Sequence, residues 1–206
     1  MSPTKPARTS ADKFDKLMER QKAAVDEAIA SAQKDQSVLI LLTGDGKGKT
    51  TSGFGMVFRA LGYGQKVAVI QFIKGTQASG EEILLRNRFP EVPFFQMGTG
   101  FTWETQNHAA DRQAALRTWA HALILLADPT LDLLLLDELT YMLAFKFLDE
   151  TEVLEALRKR SPQLSVIVTG RGGGTALREL ADTVSEVKNI KHAFDHGIKA
   201  RKGVDY

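Results

Sequence analysis

The apolar run Val38-Leu39-Ile40-Leu41-Leu42 leads directly into Thr43-Gly44-Asp45-Gly46-Lys47-Gly48-Lys49-Thr50-Thr51, and a helical pattern follows over Lys49–Leu61. Strand, glycine-rich turn, Gly-Lys-Thr and helix in this order are the context a phosphate-binding loop requires. Glycines let backbone N–H groups turn toward an anion, and the helix N-terminus adds positive partial charge. Lys49 is placed to put an ammonium on terminal phosphates, and the Thr50 hydroxyl to bind Mg²⁺. Thr43 stands where the strict pattern has glycine.

Working outward, Val67–Phe72, Pro93–Met97, Leu131–Leu136 and Leu164–Thr169 are further short apolar runs, separated by helical stretches. Uninterrupted apolar strands alternating with helices imply a parallel sheet covered on both faces. The expected fold is therefore α/β: a phosphate-loop NTPase-like parallel β-sheet with helices on both faces, plus an N-terminal helical extension. Helices are expected over Gly80–Arg88, His108–Ala127, Glu138–Phe145, Glu150–Lys159 and Thr175–Ala181. In His108–Ala127 the residues Ala115, Leu116, Trp119, Leu123 and Leu126 are expected on one buried face. Asp149 followed by Glu152 resembles a capping box. Residues 37–206 form the expected nucleotide-binding domain. Residues 1–36 form a tail and a helix (Ala11–Gln36) whose sparse apolar residues suit loose docking, or stabilisation by a partner or ligand.

Two further segments point at the same sheet edge. Leu133-Leu134-Leu135-Leu136 ends in Asp137-Glu138. In such folds ligands sit beyond the carboxyl ends of the strands, where acids hold Mg²⁺ directly or through water. Thr50, Asp137 and Glu138 are the candidate metal set; the plainer reading of the two acids is a cap for the next helix. Gly170-Arg171-Gly172-Gly173-Gly174 follows the last strong strand and places Arg171 where it can clamp a phosphate.

Composition narrows the chemistry. Of 206 residues none is cysteine, so disulfides, cysteine-ligated zinc, iron–sulfur clusters and a cysteine nucleophile are excluded. The formal net charge is +2, too small for a general field attracting nucleic acid or anionic lipid. No apolar run approaches the roughly 18 residues of a membrane helix, and no signal peptide is visible, so a soluble cytoplasmic protein is expected.

A phosphate loop alone does not say what happens to the nucleotide. Six segments together do more: Thr43–Thr51, Gln71-Phe72-Ile73-Lys74-Gly75, Gly98-Thr99-Gly100-Phe101-Thr102-Trp103-Glu104-Thr105, Leu136-Asp137-Glu138-Leu139-Thr140-Tyr141, Val168-Thr169-Gly170-Arg171-Gly172 and Lys191-His192-Ala193-Phe194-Asp195. In this order they closely resemble the bacterial ATP:corrinoid adenosyltransferases of the phosphate-loop type, over about Gln36 to Tyr206. The resemblance implies transfer of the 5′-deoxyadenosyl group of ATP to the Co(I) form of a corrinoid, with release of triphosphate, in cobalamin synthesis and salvage. It further implies Mg²⁺, a homodimer and a reduced-flavin donor such as flavodoxin. It gives Phe101 and Trp103 a place on the lower face of the corrin, leaving a four-coordinate Co(II) that is easier to reduce. It implies ATP held in reversed orientation on the loop and an N-terminal helix that can close over the site. The leaving triphosphate suits the loop amides, a catalytic Lys49 and Mg²⁺, while Lys47 either adds charge or points to water. Asp45 departs from the family's commoner Asn, and Gly173-Gly174 from a more polar pair. The competing readings are an ATPase or kinase on the same fold, and a nucleic-acid-binding module using the helix Lys13–Lys34. Near-neutral charge and the lack of interleaved aromatics count against the last.

Overall fold

The computed structural model describes residues 10–73, 78–98 and 108–206. They divide into two compact units, one ending at Gln36 and one spanning Ser37–Tyr206. The first contains helix α1 (Ser10–Ser31), which has no buried residue.

The second unit is built on six parallel strands: β1 (Leu39–Thr43), β2 (Val67–Gln71), β3 (Phe94–Gln96), β4 (Leu133–Asp137), β5 (Ser165–Thr169) and β6 (Thr183–Glu186). Their order across the sheet is β3-β2-β4-β5-β1-β6. All recorded pairings are parallel, with Leu39 opposite Val166 and Leu135 opposite Ile167. Successive residues of a strand point to opposite faces, and here both faces are buried. Leu134, Leu136, Val166 and Val168 pack into one core, while Leu133, Leu135 and Ile167 pack into the other. This explains why the central strands read as unbroken apolar runs. Each fully buried leucine contributes about 1.5–3 kcal/mol by leaving water, so β4 alone is a major anchor.

Helices α2 (Lys49–Gly62) and α3 (Gly80–Arg88) cover one face through Phe54, Val57 and Leu85. Helices α4 (His108–Ala127), α5 (Leu139–Ala144), α6 (Glu150–Arg158) and α7 (Gly174–Leu180) cover the other through Trp119, Met142, Leu157 and Leu177. The expected α/β architecture is thus present, with two differences of detail. β6 has no apolar signal because all four of its residues are exposed. In α4 the buried face runs through Ala115, Trp119, Ala122 and Leu126, whereas Leu116 and Leu123 are 39% and 46% exposed. The expected stripe was therefore displaced toward one edge of the helix. The Asp149 cap forms as expected: its Oδ1 accepts from the Glu152 amide at 3.0 Å.

Among the described residues no helix is long and apolar enough to cross a membrane.

Candidate active site

The loop between β1 and α2 takes its shape from close backbone approach. A Cβ on Gly46 would come within 2.6 Å of the Lys188 carbonyl oxygen, so only glycine fits against the chain that leaves β6. The Gly46 N–H donates to the Val187 carbonyl at 2.7 Å, and the Val187 N–H donates to the Thr43 carbonyl at 2.8 Å. That amide therefore braces the loop and does not face an anion. Gly48 serves differently: its φ is 123°, and a Cβ there would meet nothing within 4 Å. It supplies the left-handed turn into α2 beside open space.

Lys49, the first residue of α2, is buried, and its Nζ donates to the Gly46 carbonyl at 2.9 Å. Burial lowers its pKa from the ordinary lysine value, against the opposing pull of Glu138. Thr43 has a structural reason to differ from glycine. Its hydroxyl donates to the Gly172 carbonyl at 2.6 Å, tying the phosphate loop to the Arg171 loop. The Thr140 hydroxyl donates to the Arg171 carbonyl at 2.8 Å, so the Arg171 loop is held from both sides.

The two acids after β4 separate in role. Asp137 is 2% exposed, and its oxygens accept from the Thr169 hydroxyl at 2.6 Å and from Gln71 Nε2 at 2.9 Å. The relay continues as Gln96 Nε2 donates to Gln71 Oε1 at 3.0 Å and to Glu82 at 2.8 Å. Glu138 is in the left-handed region with φ 61°, and it lines the cleft above the strands together with Lys49, Thr50 and Tyr141. The Thr169 hydroxyl oxygen also accepts from the Glu138 amide at 2.9 Å, so one side chain positions both acids. Burial, and next the charge of Glu138, raise the Tyr141 pKa above its ordinary value.

This cleft, about 670 Å³, brings together Asp45–Thr51, Glu138 and Arg171. Thr43 and Gly44 precede these lining residues and do not themselves line the cleft. The segment Lys191–Asp195, quoted from the sequence without a place in the site, supplies His192, Phe194 and Asp195 to its far wall, and sequence reasoning missed the residues beyond it, such as Asp205. Lys47 Nζ pairs with Asp205 there at 2.8 Å, and this contact with Lys47 lowers the Asp205 pKa. The Nδ1 of His192 accepts from the Phe194 amide at 3.2 Å, and a short 3₁₀ turn, Phe194–His196, follows. Phe101 and Trp103 lie outside the described residues. A second cavity of about 560 Å³ lies on the other side of the Arg171 loop, with Arg171 common to both.

Comparison with known proteins identifies the lineage of this site. The model of the family "ATP:corrinoid adenosyltransferase BtuR/CobO/CobP" matches residues 35–206. The chain belongs to the ATP:corrinoid adenosyltransferase family. A corrinoid adenosyltransferase of Escherichia coli K12 is 50% identical over 96% of this chain and 100% of its own length. The corrinoid adenosyltransferase CobA of Salmonella typhimurium is 48% identical over the same shares. That of Pseudomonas aeruginosa is 50% identical over 92% of this chain and 93% of its own. The adenosyltransferase match begins at residue 35 and so takes in the entire sheet-bearing unit, including both cavities.

Proposed function

We propose that this chain transfers the 5′-deoxyadenosyl group of ATP to the Co(I) centre of a corrinoid. The lone pair of Co(I) attacks C5′, the C5′–O bond breaks, and its electrons leave with triphosphate. The observation that carries this reading is the cleft itself. It concentrates Lys49, Lys47, Arg171 and the Thr50 hydroxyl at the sheet edge of a chain half identical to corrinoid adenosyltransferases. A triphosphate leaving group needs its developing charge stabilised, and fixed cations in a preformed cleft do this without reorganisation. Cobalt is the nucleophile, so no serine, cysteine or general base is required of the protein.

The donor set also fits Mg²⁺. Among the described residues no group of three or more His, Cys, Asp or Glu side chains is placed to cage a metal. A hydroxyl and a carboxylate that leave room for phosphate oxygens and water are what Mg²⁺ prefers. Thr50 and Glu138 would hold the ion, with Asp137 beneath them fixing the geometry; Mg²⁺ would neutralise the triphosphate. As the family resemblance implies, Co(II) reduction would fall to an external donor such as reduced flavodoxin. Phe101 and Trp103 would displace the lower axial ligand and make that reduction easier.

The test is an anaerobic assay with ATP, Mg²⁺ and chemically reduced cobalamin. The expected products are a Co–C bond and inorganic triphosphate in equal amounts. Inorganic phosphate without a Co–C bond would instead support the ATPase reading. Replacing Phe101 or Trp103 with Ala is expected to impair reaction from Co(II) more than from preformed Co(I); equal losses would make the rings structural.

A further inference from the structure

The second cavity shares Arg171 with the nucleotide cleft and is built at the same sheet edge. Thr140, Leu143, Arg112, Lys146, Glu150 and the Gly172–Gly174 backbone line it, and Arg171 closes it toward the nucleotide cleft. Among the described residues just two non-glycine residues have positive φ: Glu138 at 61°, which lines the nucleotide cleft, and Lys146 at 56°, which lines the second cavity. The left-handed turn at Lys146 ends α5: its N–H donates to the Leu143 carbonyl at 3.0 Å and the Phe147 N–H to the Met142 carbonyl at 2.9 Å, which sets Lys146 in the cavity wall. Glycines keep the opposite wall thin: a Cβ on Gly174 would sit 3.0 Å from Glu150 Oε1.

The charge pattern narrows what fits. Arg112, Lys146 and Arg171 are donors, and Glu150 is an acceptor. The other acid in the wall, Asp149, is already engaged in capping α6. A bare anion would meet Glu150, and a metal cation would meet three basic groups. A neutral group that both donates and accepts, the primary amide, is satisfied by the mixture. The corrin ring carries such amides around its rim. The cobalt must lie beside the ATP ribose, so the rim must extend over the residues next to the nucleotide cleft.

We infer that the cavity behind Arg171 receives amide side chains of the corrinoid rim, with Arg112 donating to an amide oxygen and Glu150 accepting from an amide nitrogen. The inference rests on the adenosyltransferase reading. Arg171, standing in both walls, would then touch both substrates.

The test uses the full chain with Arg112→Ala and Glu150→Ala as separate variants. KM for cob(I)alamin and for cob(I)inamide is measured at saturating ATP, and KM for ATP at saturating corrinoid. Each variant is expected to raise the KM of both corrinoids about tenfold, as for loss of one hydrogen bond to a charged group. Both corrinoids carry the ring amides, so both should respond. The ATP KM should stay within about twofold of wild type, which also shows that the variants fold. Binding of cob(II)inamide, followed by its absorbance, should weaken in parallel without any turnover. Corrinoid KM values unchanged in both variants would overturn the inference, as would ATP and corrinoid KM values rising together. If the wild-type chain forms no Co–C bond, the functional reading fails first and takes this inference with it.

Discussion

Lys49 differs from the other cations of the cleft in being buried, while Lys47 and Arg171 remain in contact with water. Its lowered pKa has consequences of opposite sign for binding and for folding. The ammonium form binds triphosphate, so affinity falls as pH rises through the lowered pKa. The unfolded chain holds the same proton more tightly, so the nucleotide-free fold gains stability over that window. Bound triphosphate restores the charge. The alkaline fall of kcat/KM for ATP, which reports the free enzyme, is therefore expected at lower pH than the fall of kcat. Lys49→Arg keeps a charge at every accessible pH and should abolish that early fall even if overall activity drops. An unshifted pH profile in this variant would assign the titration elsewhere. The sequence announced Lys49 by its Gly-Lys-Thr context, whereas nothing local announced that Lys47 would meet Asp205.

The strands bring together side chains that the sequence gives only in separate segments. Thr169 ends β5 and Gln71 ends β2, and their separate tips meet on Asp137 at the end of β4. Thr169→Val keeps the shape, removes the donor to Asp137 and leaves the Glu138 amide without that acceptor. The expected cost is about 1–3 kcal/mol of stability, the range for stranding buried polar groups. The Mg²⁺ concentration for half-maximal activity should also rise, and Thr169→Ser should restore both. A Thr169→Val protein with unchanged urea midpoint and Mg²⁺ dependence would show the relay to be dispensable. This level also shows where sequence reading stops. The five apolar strands were legible because burial on both faces leaves an unbroken apolar signature. Exposed Thr183-Val184-Ser185-Glu186 leaves none, although it completes the sheet and braces the phosphate loop. The acids Asp137 and Glu138 were legible as a pair. Their division into a buried brace and a cleft-facing group depends on the left-handed turn at Glu138 and on partners from other strands.

For the whole molecule, nucleotide binding and stability are linked. A ligand that binds the folded state alone adds about 2.7 kcal/mol at a hundred times its Kd. Mg²⁺ and ATP at that excess should move the urea midpoint up with an unchanged slope, and Lys49→Ala should remove the shift. A shift surviving in Lys49→Ala would place the nucleotide outside the phosphate loop. The strand order carries one more consequence, for the chain as it is being made. β1 finds its sheet neighbours only in β5 and β6, the last strands to be synthesised. Until they leave the ribosome, the phosphate loop is a glycine-rich hinge beside an apolar strand with no sheet partner, and such exposed edges are prone to aggregate. A nascent chain halted before β6 should therefore fail to hold ATP and should be a chaperone client, although every residue of its Gly-Lys-Thr motif has already been translated.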